Sequence, residues 1–305
     1  MRNFFSCLSN SVSGQDQERN HARSASMSSR LMRPVCAFAL GATAMFAAPS
    51  ALSGELSNQT LSVSFAVAPP FVTLKKNVKT PEGVDVSLVK ELQRRTGFRL
   101  DADGYDLTSF TSMMELGRSG HSDIVAGAIS ATPERARYYL ISKPYVYNSA
   151  VIVSRQGDNI VDLDALSGRT LAVQTGSNMG AMIGNRGINT YEAPTNFMVF
   201  YAVSRGLADA LIVDEIIARE YLAIWPEANL QVSGHIEGSE SGMALFFKKD
   251  SPRSEVLYKT FNEMIDDGTV ARIVRNELHN YFEAEEGHED EQHAHGAGPK
   301  LSMSN

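Results

Sequence analysis

Cysteine is scarce in this chain, which has 2 cysteines among 305 residues, Cys7 and Cys36. Both precede the region in which the sequence reads as folded, so they cannot build a disulfide framework inside it. A cysteine-based metal or redox site is excluded for the same reason. We therefore expect the exported protein to contain no cysteine and no disulfide.

An excess of positive charge is also lacking: 28 Lys and Arg stand against 35 Asp and Glu, for a formal net charge of −7. Without a basic stripe, nucleic acid is not an expected partner. The sequence shows no Ser/His/Asp or Cys/His set, no metal-ligand spacing and no phosphate-binding loop. We therefore predict no catalytic residue, no metal site and no cofactor.

The N-terminal segment, residues 1–53, has the layout of a secretory signal preceded by an extension. Arg30 and Arg33 come before an apolar run at 35–48, and small residues follow. The run is too short for a membrane span, and its flanks are those of a signal peptide. We expect export to the periplasm. Met27 and Met32 are alternative translation starts. Cleavage of the signal peptide after Ser50 or after Ser53 fits the small-x-small rule equally well.

The C-terminal tail, residues 283–305, is acidic and contains His288, His293 and His295. It has no apolar periodicity, so we expect disorder. Histidine-rich tracts can bind Zn, Ni or Cu ions, but a solvated tail is the favoured interpretation.

Between these ends, strand and helix patterns alternate along the chain. Helical spacing follows Gly83 and stops at Gly97. The stretch at 175–180 is expected to be a turn that opens a helix, and a further helix is expected near 197–204. Short apolar or alternating runs predict strands at 61–67, 124–127, 150–153, 170–174 and 210–213. This pattern predicts an α/β fold, and the hydrophobic content of 43% suffices for two cores.

The segment Ser130–Arg135 carries the most informative local chemistry. Thr132 suits the N-cap of a helix and Pro133 its first position, so free N–H groups would face an anion. Arg135 can add the planar fork that matches a carboxylate. The alternative is an ordinary helix start, with Arg135 paired to a surface glutamate. The interpretation we test is a site for a small carboxylate ligand.

A second polar residue, Asp214, ends the strand predicted at 210–213. Strand ends in open α/β sheets are where ligands bind. A free α-amino acid needs a cation facing its carboxylate and a carboxylate facing its ammonium, and Arg135 and Asp214 offer these charges. The alternative for Asp214 is an N-cap of the following helix.

Six short motifs together resemble the bacterial extracellular solute-binding proteins of family 3, the polar amino-acid receptors of ABC importers. The resemblance covers about residues 56–281. The motifs, in chain order, are Gly83-Val84-Asp85, Ser-x-Thr-Pro-Glu-Arg at 130–135, Ser142-Lys143-Pro144-Tyr145, Gln174-Thr175-Gly176-Ser177, Gly206–Ala210 with Asp214-Glu215, and Gly242–Leu245 leading to Asp267-Gly268-Thr269.

The resemblance implies a two-lobed periplasmic-binding-protein-like fold of type II, with lobes joined by two hinge crossings. We accordingly divide the chain into a first lobe at 54–148 and 243–282 and a second lobe at 149–242. The implied ligand-binding residues are Ser130, Thr132 and Arg135 for the carboxylate, Ser177 and Asn178 closing on it, Asp214 for the ammonium, and Phe110 facing the cleft. Phe110 could equally be packing with the two methionines that follow it.

The family also implies a function: capture of an amino acid or related carboxylate and delivery to an ABC permease in the inner membrane, by a monomer. Side-chain specificity is not readable, since Ala68 stands where an aromatic residue often stacks on the ligand. Two alternatives share the fold, a periplasmic arogenate or prephenate dehydratase and a ligand sensor without transport. The dehydratase is disfavoured because Ile217 occupies the place where a working glutamate is expected.

Overall fold

The computed structural model describes residues 54–74, 80–279 and 281–282. The predicted signal segment and the acidic tail lie outside this part of the chain. Within the described ranges, no helix combines the length and the apolar character needed to cross a bilayer.

The described residues form fourteen strands and six α-helices, with two of the helices last. In chain order they are β1 (Thr60–Ala66), β2 (Thr73–Leu74), β3 (Pro81–Glu82), α1 (Val84–Thr96), β4 (Arg99–Thr108), α2 (Phe110–Arg118), β5 (Ile124–Ala126), β6 (Tyr139–Ile141), β7 (Val146–Asn148), β8 (Ala150–Arg155), β9 (Thr170–Gln174), β10 (Asn189–Ala193), α3 (Asn196–Ser204), β11 (Ala210–Asp214), α4 (Glu215–Ile224), β12 (Leu230–His235), β13 (Ser241–Met243), β14 (Phe246–Lys248), α5 (Pro252–Asp266) and α6 (Thr269–Glu277).

Two five-stranded sheets form the centres of two α/β lobes. The first has the order β4-β1-β5-β14-β6, and the second has the order β10-β9-β11-β8-β12. In the first sheet β1 runs parallel to β4 and β5, while β14 is antiparallel to its neighbours. In the second sheet β9 is parallel to β10 and β11, and β8 is antiparallel to β11 and β12. The predicted two-lobed α/β architecture is confirmed.

The chain passes between the two sheets through the short antiparallel pair of β7 and β13. Gly242 lies opposite Tyr147 in this pair. A Cβ atom on Gly242 would come within 2.6 Å of the Pro144 ring and 3.2 Å of the Tyr147 ring, so this position accepts only glycine without rearrangement. The two crossings are therefore held side by side. The lobe limits at 148/149 and 242/243 stay a prediction.

The first-lobe helix α1 confirms the pattern read between Gly83 and Gly97. It buries Leu88, Val89 and Leu92, and it ends where Gly97 takes the left-handed conformation with φ 77°. A glycine at that position closes a helix without Cβ strain. The predicted helix near residues 197–204 is α3, and the five predicted strands correspond to β1, β5, β8, β9 and β11.

Two predicted helix starts are wrong. After Thr132, the chain forms only a 3-10 helix of three residues, Arg135–Arg137, because it turns at Tyr138 into β6, which pairs with β14. Beyond Asn178 it forms a four-residue 3-10 helix, Met179–Met182. Such short turns align few peptide dipoles, so any anion binding here depends on side chains.

Candidate ligand-binding cleft

A cleft between the two lobes brings together five of the seven residues expected at the site: Phe110, Arg135, Ser177, Asn178 and Asp214. The first lobe also contributes Gly127 and Ala128. The remaining lining residues come from the second lobe and are Gln174, Met179, Asn196, Ile212, Val213 and Ile217.

Arg135 places its guanidinium on the first-lobe wall and is held from two sides. Its Nη1 donates to the Ser130 carbonyl oxygen at 2.8 Å, and its guanidinium carbon lies 5.5 Å from the centre of the Phe110 ring. Burial lowers the pKa of Arg135, and the Asp214 carboxylate opposes this change. Since a guanidinium stays protonated in proteins, Arg135 is a fixed cation that has lost much of its water.

Ser130 and Thr132 are not among the lining residues but support Arg135. The Thr132 Oγ1 accepts the backbone N–H of Arg135 at 3.2 Å, although Glu134, not Thr132, holds the N-cap position of the short 3-10 helix. The Ser130 hydroxyl lies 3.1 Å from the hydroxyl of Ser241 in the hinge strand β13. Ser130 therefore contacts Arg135 through its carbonyl group and the hinge through its side chain.

Asp214 ends β11 on the second-lobe wall and is 7% exposed. Burial raises the pKa of its carboxyl group to about 6, and the Asn148 hydrogen bond and the Arg135 charge act in the lowering direction. Asp214 occupies the N-cap position of α4 but makes no side-chain cap bond. Asp214 thus holds the N-cap position predicted as the alternative, but its carboxylate makes no capping hydrogen bond to α4.

Asn148, which the sequence analysis missed, fixes the Asp214 carboxylate. Its Nδ2 donates to Asp214 Oδ1 at 2.9 Å, and its Oδ1 accepts the backbone N–H of Ile216 at 3.3 Å. Asn148 thus stands in for the missing cap of α4 and ties that helix to the hinge strand β7. A lone asparagine before a strand offers no sequence signal for this role, because the partner is 66 residues away.

The second-lobe wall also carries polar side chains without partners. The Ser177 hydroxyl oxygen is buried and accepts or donates no hydrogen bond within the described chain. The side-chain amides of Gln174, Asn178 and Asn196 likewise have no partner among the described hydrogen bonds, and Asn196 is only 5% exposed. Because the described chain engages none of these groups, they leave hydrogen-bonding capacity for a ligand. Gln174 and Asn196 were not predicted as site residues.

The two lobes touch directly across the cleft. Thr111 of α2 donates its hydroxyl to the Thr175 carbonyl oxygen at 3.2 Å, and Arg135 Nη2 donates to the Gly176 carbonyl oxygen at 3.4 Å. Gly176 has φ 78°, and a Cβ atom there would lie 3.1 Å from Thr111 Oγ1. The turn at 175–177 is therefore a point of direct contact between the walls.

The acids next to the two charged cleft residues are not cleft residues. Glu134 is exposed, and Glu215 is paired with Arg219 at 2.6 Å along α4. Ile217 is the α4 residue that lines the cleft. A dehydratase needs an acid above the bound ligand, and an isoleucine cannot transfer a proton.

Comparison with known proteins identifies the family to which this chain belongs. Residues 61–279 match the bacterial extracellular solute-binding proteins, family 3. The arginine-binding extracellular protein ArtP of Bacillus subtilis is 27% identical over 195 residues, 63% of this chain and 75% of ArtP. The putative amino-acid ABC transporter-binding protein PatH of Vibrio harveyi is 29% identical, over 67% of this chain and 82% of PatH.

A solved structure of an ancestral arginine-binding protein bound to arginine shares the fold, with a TM-score of 0.66 at 24% identity. The likeness covers 73% of this chain and 99% of that one. The matched family and these relatives are binding proteins, so this chain is a binding protein and not an enzyme. The resemblance seen in the motifs is confirmed: the chain belongs to the bacterial extracellular solute-binding proteins, family 3.

Proposed function

We propose that this protein is a periplasmic receptor that captures a free α-amino acid between its lobes and delivers it to an ABC importer. One observation carries the proposal: Arg135 and Asp214 present opposite charges from opposite walls of one cleft. An α-amino acid carries opposite charges on adjacent groups, so the two walls match its zwitterionic end.

Arg135 binds the ligand carboxylate in this proposal. Its bond to the Gly176 carbonyl oxygen is long at 3.4 Å and can yield to a carboxylate oxygen, whereas the 2.8 Å bond to Ser130 keeps the guanidinium in place. The unpaired Ser177 hydroxyl and the Asn178 amide supply further donors from the facing wall. Charge-assisted hydrogen bonds contribute about 1.5–3 kcal/mol each.

Asp214 binds the ligand ammonium. Burial makes the isolated carboxylate costly, which is why its pKa is raised to about 6. An ammonium within hydrogen-bond reach offsets that cost and stabilises the ionised form. Asn148 orients the carboxylate from behind without supplying charge.

Coupling to transport is supported by the family and by PatH, whose name places it with an ABC transporter. The predicted export signal agrees with an extracytoplasmic receptor. A permease in the inner membrane is the proposed partner, and the receptor is proposed to act as a monomer.

The proposal is tested by calorimetry on protein freed of co-purified ligand by unfolding and refolding. The titrants are the standard L-α-amino acids and carboxylic acids that lack the amino group. We expect micromolar or tighter binding of at least one amino acid, which is recovered chemically unchanged. Failure of every α-amino acid to bind, or binding of simple carboxylic acids alone, overturns the proposal.

A further inference from the structure

The described cleft lining contains two charged side chains, Arg135 and Asp214, and no others. We propose that the cleft selects amino acids whose side chain is uncharged and forms hydrogen bonds, such as a carboxamide or a hydroxyl, with Gln174 and Asn196 as the specificity-determining residues. This inference rests on the proposed function, because it assigns both charges to the α-carboxylate and the α-ammonium.

The charge balance of the cleft disfavours a ligand with a third charge. A cationic side chain would need a second carboxylate, and an anionic side chain would need a second cation. The free energy needed to bury either charged side chain without a partner is larger than the free energy gained from contacts with neutral groups. Arginine, lysine, glutamate and aspartate are therefore disfavoured as ligands.

Two buried acids next to cleft residues, Asp85 and Glu215, already have partners outside the cleft. Asp85 lies behind the cleft wall, where its two carboxylate oxygens accept the Ala128 N–H at 2.9 Å and the Tyr145 hydroxyl at 2.5 Å. Glu215 is held by Arg219. Neither carboxylate supplies a partner for a cationic ligand side chain.

Gln174 and Asn196 have the chemistry that an uncharged polar side chain requires. Gln174 ends β9 and Asn196 begins α3, so both amides stand on regular elements of the second lobe. Each amide donates and accepts hydrogen bonds, and each lacks a side-chain partner among the described residues. A carboxamide or hydroxyl ligand satisfies them, whereas a leucine side chain leaves them buried and unpaired.

The first experiment titrates ligand-free protein with glutamine, asparagine, serine, threonine, leucine, arginine, lysine and glutamate by calorimetry. We expect the tightest of the first four to bind at least about 10-fold more strongly than leucine and the three charged amino acids. If a charged amino acid or leucine binds tightest, this inference fails and the proposed function stands. If no amino acid binds, both fail.

The second experiment uses Asn196→Asp, which keeps the side-chain shape and places an acid in the first turn of α3, where helices tolerate it. We expect the ratio of lysine affinity to glutamine affinity to rise at least about 10-fold, because the cleft then holds a second carboxylate. The control is Asn189→Asp at the exposed start of β10. An unchanged ratio in Asn196→Asp shows that Asn196 does not face the ligand side chain and overturns its assignment.

Discussion

The two walls of the cleft differ in how many of their polar side chains already have interaction partners within the protein. On the first-lobe wall, Arg135 is fixed by Ser130 and by the Phe110 ring before any ligand arrives. On the second-lobe wall, the Ser177 hydroxyl is buried without a partner and the neighbouring amides are unpaired in the described chain. The first wall is thus organised to hold one constant group, while the second has hydrogen bonds left to distinguish ligands.

The same contrast appears between two adjacent acids in the second lobe. Asn148 orients Asp214 into the cleft, whereas Glu215 forms an ion pair with Arg219 on the next turn of α4. Their burial is nearly equal, at 7% and 6% exposed. What separates a cleft carboxylate from a structural one here is the partner, not the degree of burial.

The largest expected effect comes from removing the fixed cation. Arg135→Ala should leave the protein folded and weaken amino-acid binding by about 2–5 kcal/mol, because the ligand carboxylate is then buried without a partner. Calorimetry measures the loss. Arg137→Ala, an exposed arginine of the same turn, is the control and should bind normally. Unchanged affinity in Arg135→Ala would mean that the first wall does not hold the carboxylate.

A slightly smaller effect is expected at the opposite wall. Asp214→Asn should cost α-amino acids about 1.5–3 kcal/mol, the contribution of a charge-assisted hydrogen bond, and should cost carboxylic acids without an amino group much less. The exposed Glu237→Gln is the control for loss of one negative charge. Equal losses for both ligand types would show that Asp214 does not contact the ammonium.

Acid should weaken binding through the same carboxylate. With a pKa of about 6 in the free protein, Asp214 is mostly ionised at pH 7 and mostly protonated at pH 5. The dissociation constant should therefore rise about 10-fold between these pH values. Calorimetry at several pH values measures this rise, which Asp214→Asn should largely abolish. A dissociation constant that is flat from pH 7 to pH 5 in the wild type would contradict the ammonium role.

Protonation of Asp214 does not itself favour unfolding. The carboxyl pKa of Asp214 is raised from 3.8 in the reference state to about 6 in the fold, so the folded state binds the proton more tightly. The contribution of this group to stability is therefore greatest below about pH 4 and declines as the pH rises towards 6. Between about pH 5 and pH 6, where the two ranges overlap, acid weakens binding through Asp214 while it increases the contribution of Asp214 to stability.

The smallest effect concerns one of the two hydrogen bonds that join the walls. Thr111→Val removes the hydroxyl that donates to the Thr175 carbonyl oxygen, and it should weaken binding by about 0.5–1.5 kcal/mol. Small-angle scattering should show a less compact free protein, while saturating ligand restores compactness. Thr190→Val on the exposed face of β10 is the control. An affinity loss as large as that of Arg135→Ala would mean that Thr111 contacts the ligand itself.

Much of the fold was predictable because its signals are local. The helix spacing between Gly83 and Gly97, and the apolar runs that became β5 and β11, depend on neighbours in sequence. The helix predicted to start at Thr132-Pro133 was wrong because its length is limited by a contact between residues far apart in sequence, the pairing of β6 with β14.

The candidate site divides in the same way. Arg135 and Asp214 were predicted because each stands in a recognisable motif beside a strand end. Asn148 and Asn196 were missed, because their importance arises from the folded arrangement: Asn148 contacts Asp214 across 66 positions, and Asn196 enters the cleft only through the placement of α3.

The most direct test of the opposed-charge cleft compares, on the unmodified protein, three ligands that share one side chain. Calorimetry would measure the tightest-binding amino acid, its analogue without the α-amino group and its analogue with the carboxylate converted to an amide. We expect each analogue to bind at least about 10-fold more weakly, since each leaves one buried charge, Asp214 or Arg135, without its partner. Binding of either analogue as tightly as the amino acid would contradict the opposed-charge cleft.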